Sequence, residues 1–407
     1  MFTQDIIQII KNYEVKGSRY GLQSTRNLLN ALGSPDDHLK IIHIAGTNGK
    51  GSTAEYLTQI LTAAGEKVGT FTSPEVYSYL EKFKINGQPL SEDKLKKYLE
   101  QSYYKSTEFE IKPTAFEVET AAALLAFYKE GCTYCVLECG LGGLSDSTNA
   151  INKKELAIIT SIGLEHTALL GDTLTKICEQ KSGIIKNCPC VVSAFQYEET
   201  LNYFKEKNAI IADEPIEKLS GNALAQTFLY GGEEYKINML GTPQLYNAAT
   251  AIKAAVLLNI PKIAIKTGLK NAKLLGRVEV INNAKTGVTY ILDGSHNPDS
   301  FTPLCNLLKE LNNFNSCLIF GCLSDKNVEK SAKILGDYFN LAYAVSPQSY
   351  RAMDEDEIYL SLKKYIKRVN KKTSVEQALS STCNKLVVVC GTFTILKEAK
   401  EWIEKRL

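Results

Sequence analysis

The chain has 407 residues, a net charge of +2, 44% hydrophobic residues and 23% charged ones. That length exceeds what one compact core usually serves, so two domains are expected. A charge this small supplies no field suited to nucleic acid or an anionic membrane, and no apolar run approaches the roughly 18 residues needed to cross a bilayer. Residues 1–13, MFTQDIIQIIKNY, lack the charged n-region and apolar h-region of a signal peptide. The Lys-rich stretches Lys94–Lys97 and Lys363–Arg368 alternate with apolar residues and read as solvated helix faces. Cysteines number eleven, and most lie in apolar runs, as at Cys132, Cys135, Cys139, Cys317, Cys322 and Cys390. An odd count without paired zinc-type spacing points to buried free thiols in a reducing compartment, hence a cytoplasmic protein.

In chain order, strand patterns are expected at Lys40–Ala45, Val68–Thr72, Tyr134–Glu138, Leu156–Ile162 and Pro189–Ala194. Helical patterns fall between them at Ser52–Ala64, Ser91–Tyr103, Thr114–Lys129 and Thr173–Ser182. An alanine-rich helix follows at Gln244–Leu258. A second series begins near Tyr290, with strands at Tyr290–Leu292, Cys317–Phe320, Leu341–Ser346 and Leu386–Cys390 and a last helix at Ile395–Leu407. Such alternation specifies an α/β chain with mainly parallel sheets and right-handed crossovers. The polar segment NNAKTG, residues 282–287, is expected to separate an N-terminal domain, 1–283, from a smaller C-terminal one, 287–407.

The stretch IIHIAGTNGKGST, residues 41–53, runs from a strand into a helix. A glycine loop at such a turn presents backbone N–H groups and a helix N-terminus to an anion. Lys50 can reach outer phosphates there, and the Ser52 hydroxyl can ligate Mg²⁺. The general phosphate-loop pattern places Ser or Thr directly after Lys, whereas Gly51 intervenes here. Other strands end in polar residues as well: Ser73-Pro74 after the second, Glu138 on the third, and Glu165-His166 after the fourth. Open α/β sheets bind ligands beyond the carboxyl ends of their strands. A carboxylate and a hydroxyl beside phosphates are what Mg²⁺ requires.

These segments together resemble the folylpolyglutamate synthase/dihydrofolate synthase family, a branch of the Mur ligase superfamily. The resemblance is carried by AGTNGKGST (45–53), TSP (72–74), ECGLGGLSDSTN (138–149), TSIGLEHTALLGDT (160–173), QKSGIIK (180–186), QLYNAATA (244–251), GRVEV (276–280), DGSHNP (293–298), SDK (324–326) and CGT (390–392), which spread over both halves. It implies a P-loop ATPase-type N-terminal domain and a Rossmann-like C-terminal domain. It also implies an ATP-dependent amide ligase: ATP converts a folate-type carboxylate to an acyl phosphate, and the amino group of L-glutamate displaces phosphate.

By position, the resemblance assigns ATP to the loop residues Gly46, Thr47, Asn48, Gly49, Lys50, Gly51, Ser52 and Thr53, with Asn247 facing adenine and Arg277 reaching the terminal phosphates. Asp293 and His296 would close over ribose and phosphates. Two Mg²⁺ sites are implied, one at Ser52 and one at Ser73, Glu138 and His166. Lys181 matches the lysine that the family carbamylates to help hold the metals. Lys50, Lys181 and His296 are thus the residues assigned to the chemistry. Partners would be a pterin or folate acid and L-glutamate, with no nucleic acid and no membrane, and the chain would be a monomer.

The chain departs from the family's usual residues at Glu75, Leu144, Glu165, Gln180 and Pro243. These departures leave room for a paralogue that ligates another acid or amine. A non-catalytic nucleotide-binding module is the competing class, but such a module would be expected to lose some of Glu138, His166, Lys181 and His296. A cell-wall type of Mur ligase would carry a further N-terminal domain, and only about 40 residues precede the first strand.

Overall fold

Alternating apolar strands and amphipathic helices build two α/β units. The computed structural model describes residues 5–11, 13, 22–221, 225–296, 298–310 and 316–407. Part of the N-terminal stretch read for a leader, and Asn297 of DGSHNP, lie outside the described residues.

The first unit comprises residues 1–217, 229–236 and 243–272. Its sheet contains β1 (Lys40–Ala45), β2 (Val68–Phe71), β3 (Phe83–Ile85), β4 (Gln88–Pro89), β5 (Tyr134–Glu138), β6 (Leu156–Ile159), β7 (Cys190–Ser193) and β8 (Ile210–Ala212). The strand order is β4-β3-β2-β5-β1-β6-β7-β8. From β2 to β8 every pairing is parallel, and β3 and β4 add an antiparallel edge. β5 and β1 are buried at nearly every position, as expected where helices cover both faces. One core lies under helices Glu92–Thr107 and Ala115–Lys129, around Phe71, Leu99, Leu124 and Phe127. Another gathers Ala157, Ile159, Ile177, Val192 and Phe204.

Capping chemistry sets several helix starts. Thr114 and Glu117 form a capping box ahead of Ala115, and Thr173 caps Leu174–Ser182. Both threonines, expected as first helical residues, therefore stand just outside the helix. The helix after the glycine loop runs Lys50–Ala63, two residues earlier than its pattern suggests, because the loop closes at Gly49.

The second unit comprises residues 218–228, 237–242 and 273–407. Its sheet holds β12 (Glu279–Asn283), β13 (Val288–Asp293), β14 (Ser316–Phe320), β15 (Leu341–Val345), β16 (Arg368–Lys372) and β17 (Leu386–Cys390), in the order β12-β13-β17-β14-β15-β16. β12 is an antiparallel edge and the other pairings are parallel. Its core centres on Phe301, Phe320, Leu335, Leu362 and Val388. Three further strands, β9 (Ile216–Gly221), β10 (Gln226–Tyr230) and β11 (Glu233–Ile237), form a small sheet.

The segment 282–287, read as an interdomain boundary, closes the β12–β13 hairpin within the second unit. The last passage of the chain from the first unit to the second lies at Ala272–Lys273 instead. The segment's polarity and glycine serve a turn, where Gly287 N–H donates to the Asn283 carbonyl at 2.8 Å. All eleven cysteines are free, and all except Cys188 and Cys383 are buried. No helix among the described residues is long and apolar enough to cross a membrane.

Candidate active site

β2, β5, β1 and β6 are neighbours at the centre of the first sheet. Their carboxyl ends bring Ser73, Glu138, the glycine loop and the Thr160–His166 segment to one edge. The chain turns from one side of β1 to the other there, as at a ligand-binding switch point.

The loop 46–49 is held by its neighbour rather than by its own length. Thr47 and Asn48 N–H groups both donate to the Ser161 carbonyl, at 2.8 and 3.2 Å. Thr47 Oγ1 donates to the Gly163 carbonyl and accepts from Gly163 N–H, each at 3.1 Å. Two glycines are required by space. A Cβ at Gly46 would lie 1.9 Å from Thr160 Oγ1, and one at Gly49 would lie 2.3 Å from Asn247 Oδ1. Gly49 also has φ +90, a left-handed value that side chains disfavour. The helix beginning at Lys50 leaves its first N–H groups without intrahelical partners, while Thr53 N–H already closes onto the Gly49 carbonyl at 2.9 Å. Gly51 and Ser52 thus sit in the first turn, which suits an anion.

Two lysines converge on one carbonyl. Lys50 Nζ donates to the carbonyls of Gly46 and Thr47, both at 3.1 Å. Lys181 Nζ, from the end of helix Leu174–Ser182, donates to the same Gly46 carbonyl at 2.8 Å. Lys181 is only 4% exposed. Burial, followed by the nearby Lys50 charge, pulls its ammonium down to about 7. From sequence alone it reads as a surface lysine; its helix end is held where Leu144 N–H donates to the Gln180 carbonyl at 2.7 Å.

Ser52 is buried, and its Oγ accepts from Gln244 Nε2 at 3.1 Å. Gln244 Oε1 in turn accepts from Asn247 Nδ2 at 3.3 Å, which ties that helix to the loop. The Thr53 hydroxyl is buried with no hydrogen-bond partner. Glu138 is buried and its Oε2 accepts from Ser73 N–H at 3.3 Å. His166 stands exposed on the loop after β6, with φ +51. Among the described residues no three His, Cys, Asp or Glu side chains converge as a ready-made metal cage. The donors that do assemble, a hydroxyl and a carboxylate, are hard oxygens that match Mg²⁺ with retained waters.

A cavity of about 370 Å³ opens beside this edge, lined by Ser73, Pro74, Glu75, Lys82, Phe116, Gly140, Leu141 and Asp146. Lys82 is buried, pairs with Glu119 at 2.5 Å and lies 5.7 Å from the Phe116 ring centre. Asp146 is 7% exposed; burial raises its carboxyl, and donors from Leu141 and Thr148 oppose that shift. Sequence reasoning singled out none of Lys82, Phe116 and Asp146. The available signal was Asp146's place in LGGLSDSTN.

In the second unit, Asp293 ends β13 and turns inward. Its Oδ2 accepts from Val278 N–H at 2.7 Å, and its Oδ1 from Ser295 N–H at 2.8 Å and from the Ser295 hydroxyl. It thereby fixes the backbone beside Arg277, whose guanidinium lies 4.8 Å from the Phe393 ring centre. Val278 itself has φ +49, strained for a β-branched residue. His296 Nδ1 lies 2.7 Å from the Gly294 carbonyl. A carbonyl only accepts, so Nδ1 carries a proton.

This geometry matches known proteins. The Mur ligase middle domain matches residues 44–255, and the Mur ligase glutamate ligase domain matches residues 276–393. The dihydrofolate synthase/folylpolyglutamate synthase of Bacillus subtilis is 31% identical over 370 residues, covering 84% of this chain and 85% of that protein. The chain belongs to the Mur ligase family, in its folylpolyglutamate and dihydrofolate synthase branch. E. coli FolC, solved with DHPP and ADP, shares 26% identity and a TM-score of 0.86, over 99% of each chain. A bifunctional folylpolyglutamate synthase/dihydrofolate synthase solved with Mn, AMPPNP and L-glutamate shares 28% identity and a TM-score of 0.84, covering 99% of this chain and 98% of that one. This ligase therefore has the α/β architecture and the enzyme class that its motifs imply, and its relatives bind adenine nucleotides with a divalent metal.

Proposed function

We propose that this ligase uses ATP to activate the carboxylate of a folate-type acid, dihydropteroate or a reduced folate, and joins L-glutamate to it. The observation that carries this reading is the convergence of Lys50 and Lys181 on the Gly46 carbonyl at a helix N-terminus, one strand from the buried Glu138. The N–H groups of Gly49 to Ser52 and Lys50 hold the triphosphate, and Asn247 borders the adenine. The family resemblance also assigns nucleotide-binding roles to Arg277 and His296, and in the second unit Asp293 fixes the backbone at Val278 and Ser295. Ser52 would hold one Mg²⁺, and Ser73, Glu138 and His166 a second. The metal supplies neutralisation of phosphate charge.

Lys181 has the chemistry required for carbamylation. Carbon dioxide reacts only with a free amine; the N–C bond forms, a proton leaves, and an anion replaces a cation. Burial and the Lys50 charge both disfavour the ammonium at Lys181, and the Lys50 charge would attract an anion formed there. Lys50 would steady the phosphate oxygens as the acid's carboxylate attacks. Phosphate departs when the glutamate amine displaces it, a sequence that depends mainly on positioning and preorganised charge.

The cavity beside Ser73 is large enough for the acid's ring system. Phe116 offers it an aromatic face and Asp146 an acceptor for ring N–H groups. The decisive test is ADP release by the purified protein with ATP, Mg²⁺ and glutamate, with dihydropteroate compared against tetrahydrofolate. Release that needs both acid and amine is expected. Turnover without amine, or none with either acid, would overturn the assignment. We propose a cytoplasmic monomer as the working form, which analytical ultracentrifugation checks.

A further inference from the structure

The strand that leads into the glycine loop carries a histidine that the reaction does not use. His43 is fully buried in β1. Its Nε2 lies 2.8 Å from Thr148 Oγ1 and 3.1 Å from Cys139 Sγ. Its Nδ1 is buried with no hydrogen-bond partner. The Thr148 hydroxyl makes a short hydrogen bond to Asp146 Oδ1, which also accepts from Thr148 N–H at 3.0 Å. Asp146 Oδ2 accepts from Leu141 N–H at 2.8 Å. Asp146 is a wall of the cavity beside Ser73.

Proton counting gives this chain of contacts a direction. A hydroxyl has one proton to donate. Thr148 gives it to the carboxylate, which only accepts when ionised. The Thr148 oxygen must then accept from His43, so His43 carries its proton on Nε2. Nδ1 is left as a bare lone pair, and an unpaired buried acceptor is less rare than an unpaired N–H donor. Burial, with Lys154 and Lys186 nearby, keeps this ring neutral, as the arrangement requires. The route runs from His43 Nε2–H to the Thr148 hydroxyl to the Asp146 carboxylate. With Thr148 turned toward it and Leu141 N–H on its other oxygen, Asp146 is fixed as an acceptor.

We propose that His43 is a positioning residue for the acid substrate, acting through Thr148 to orient the Asp146 carboxylate at the cavity wall. This inference rests on the reading of that cavity as the acid's site. It assigns a substrate-binding duty to a residue of the ATP-loop strand that lies 105 positions from Thr148 in sequence.

The test uses the full chain and whichever acid supports ADP release, with KM measured separately for acid, ATP and glutamate. His43→Leu and Thr148→Val should each raise the acid KM roughly tenfold, the usual effect of deleting one buried hydrogen bond. The ATP and glutamate KM values should stay within about twofold, and the double variant should be no worse than either single one, because both cut the same route. His43→Gln, whose amide N–H can replace Nε2–H, should recover most of the loss. A folded His43→Leu with an unchanged acid KM, an equal rise in the ATP KM, or additive effects in the double variant would overturn the proposal. If His43→Leu does not fold, Thr148→Val against Thr148→Ser makes the same comparison, since only serine keeps the hydroxyl. Asp146→Asn separates the two levels. If it leaves the acid KM unchanged, the cavity is not the acid's site; if it raises that KM while the His43 and Thr148 variants do not, the positioning route alone fails.

Discussion

Replacing Lys181 by methionine tests the chemistry of the site most directly. Methionine keeps the length and apolar stem but cannot take up carbon dioxide. Burial, followed by the Lys50 charge, pulls the ammonium from its ordinary 10.5 down to about 7, so a substantial share of Lys181 is free amine near neutral pH. An ordinary lysine would be neutral in roughly one molecule in three thousand. At about 1.36 kcal/mol per pH unit, the charged form is penalised by on the order of 5 kcal/mol at most. Without carbon dioxide, Lys181 is mostly neutral in the fold and charged in the unfolded chain between about pH 7 and 10.5. Folding then releases a proton, so this residue's contribution to stability rises with pH across that window, and its full penalty is present below pH 7. In carbon-13 bicarbonate, the wild type should show a carbamate carbonyl resonance that Lys181→Met lacks. Loss of the preorganised anion should cost kcat about a hundredfold. Full activity in Lys181→Met, or no resonance in an active wild type, would refute the reasoning.

Three further outcomes are expected. Gly49→Ala forces a Cβ to within 2.3 Å of Asn247 Oδ1 at φ +90, a strain of about 1–3 kcal/mol. ATP affinity measured by calorimetry should fall at least tenfold while circular dichroism stays unchanged. Glu138→Gln removes the buried carboxylate beside Ser73, so the Mg²⁺ concentration for half-maximal rate should rise several-fold, as a metal titration of ADP release will read. Asp293→Ala leaves Val278 and Ser295 N–H groups without their acceptor. Thermal unfolding should show a loss of about 2–4 kcal/mol, whereas His296→Ala should lower activity with stability nearly unchanged.

Much of the architecture was legible because its signals are local. Apolar runs ending at glycine or a polar residue marked β1, β2, β5 and β6, and the helices between them were recognised by period. The small strands β9 to β11 and the polar edge strand Arg368–Lys372 lack such runs, since strands with one or no buried face need little hydrophobic sequence. NNAKTG read as a boundary because a hairpin turn and a linker use the same residues.

The sequence by itself determined the family and the inventory of charged groups near phosphate. Glycine spacing, a lysine at a helix start and polar strand ends are properties of a few adjacent residues. Tertiary structure alone decided what those groups become. Lys181 is drawn toward the neutral amine only because folding buries it beside Lys50. Asp146 meets a cavity, and His43 stands behind it, only because β1, β5 and the loop 140–149 are brought together. Desolvation and hydrogen-bond direction depend on neighbours distant in sequence, so they arise only when the sheet closes.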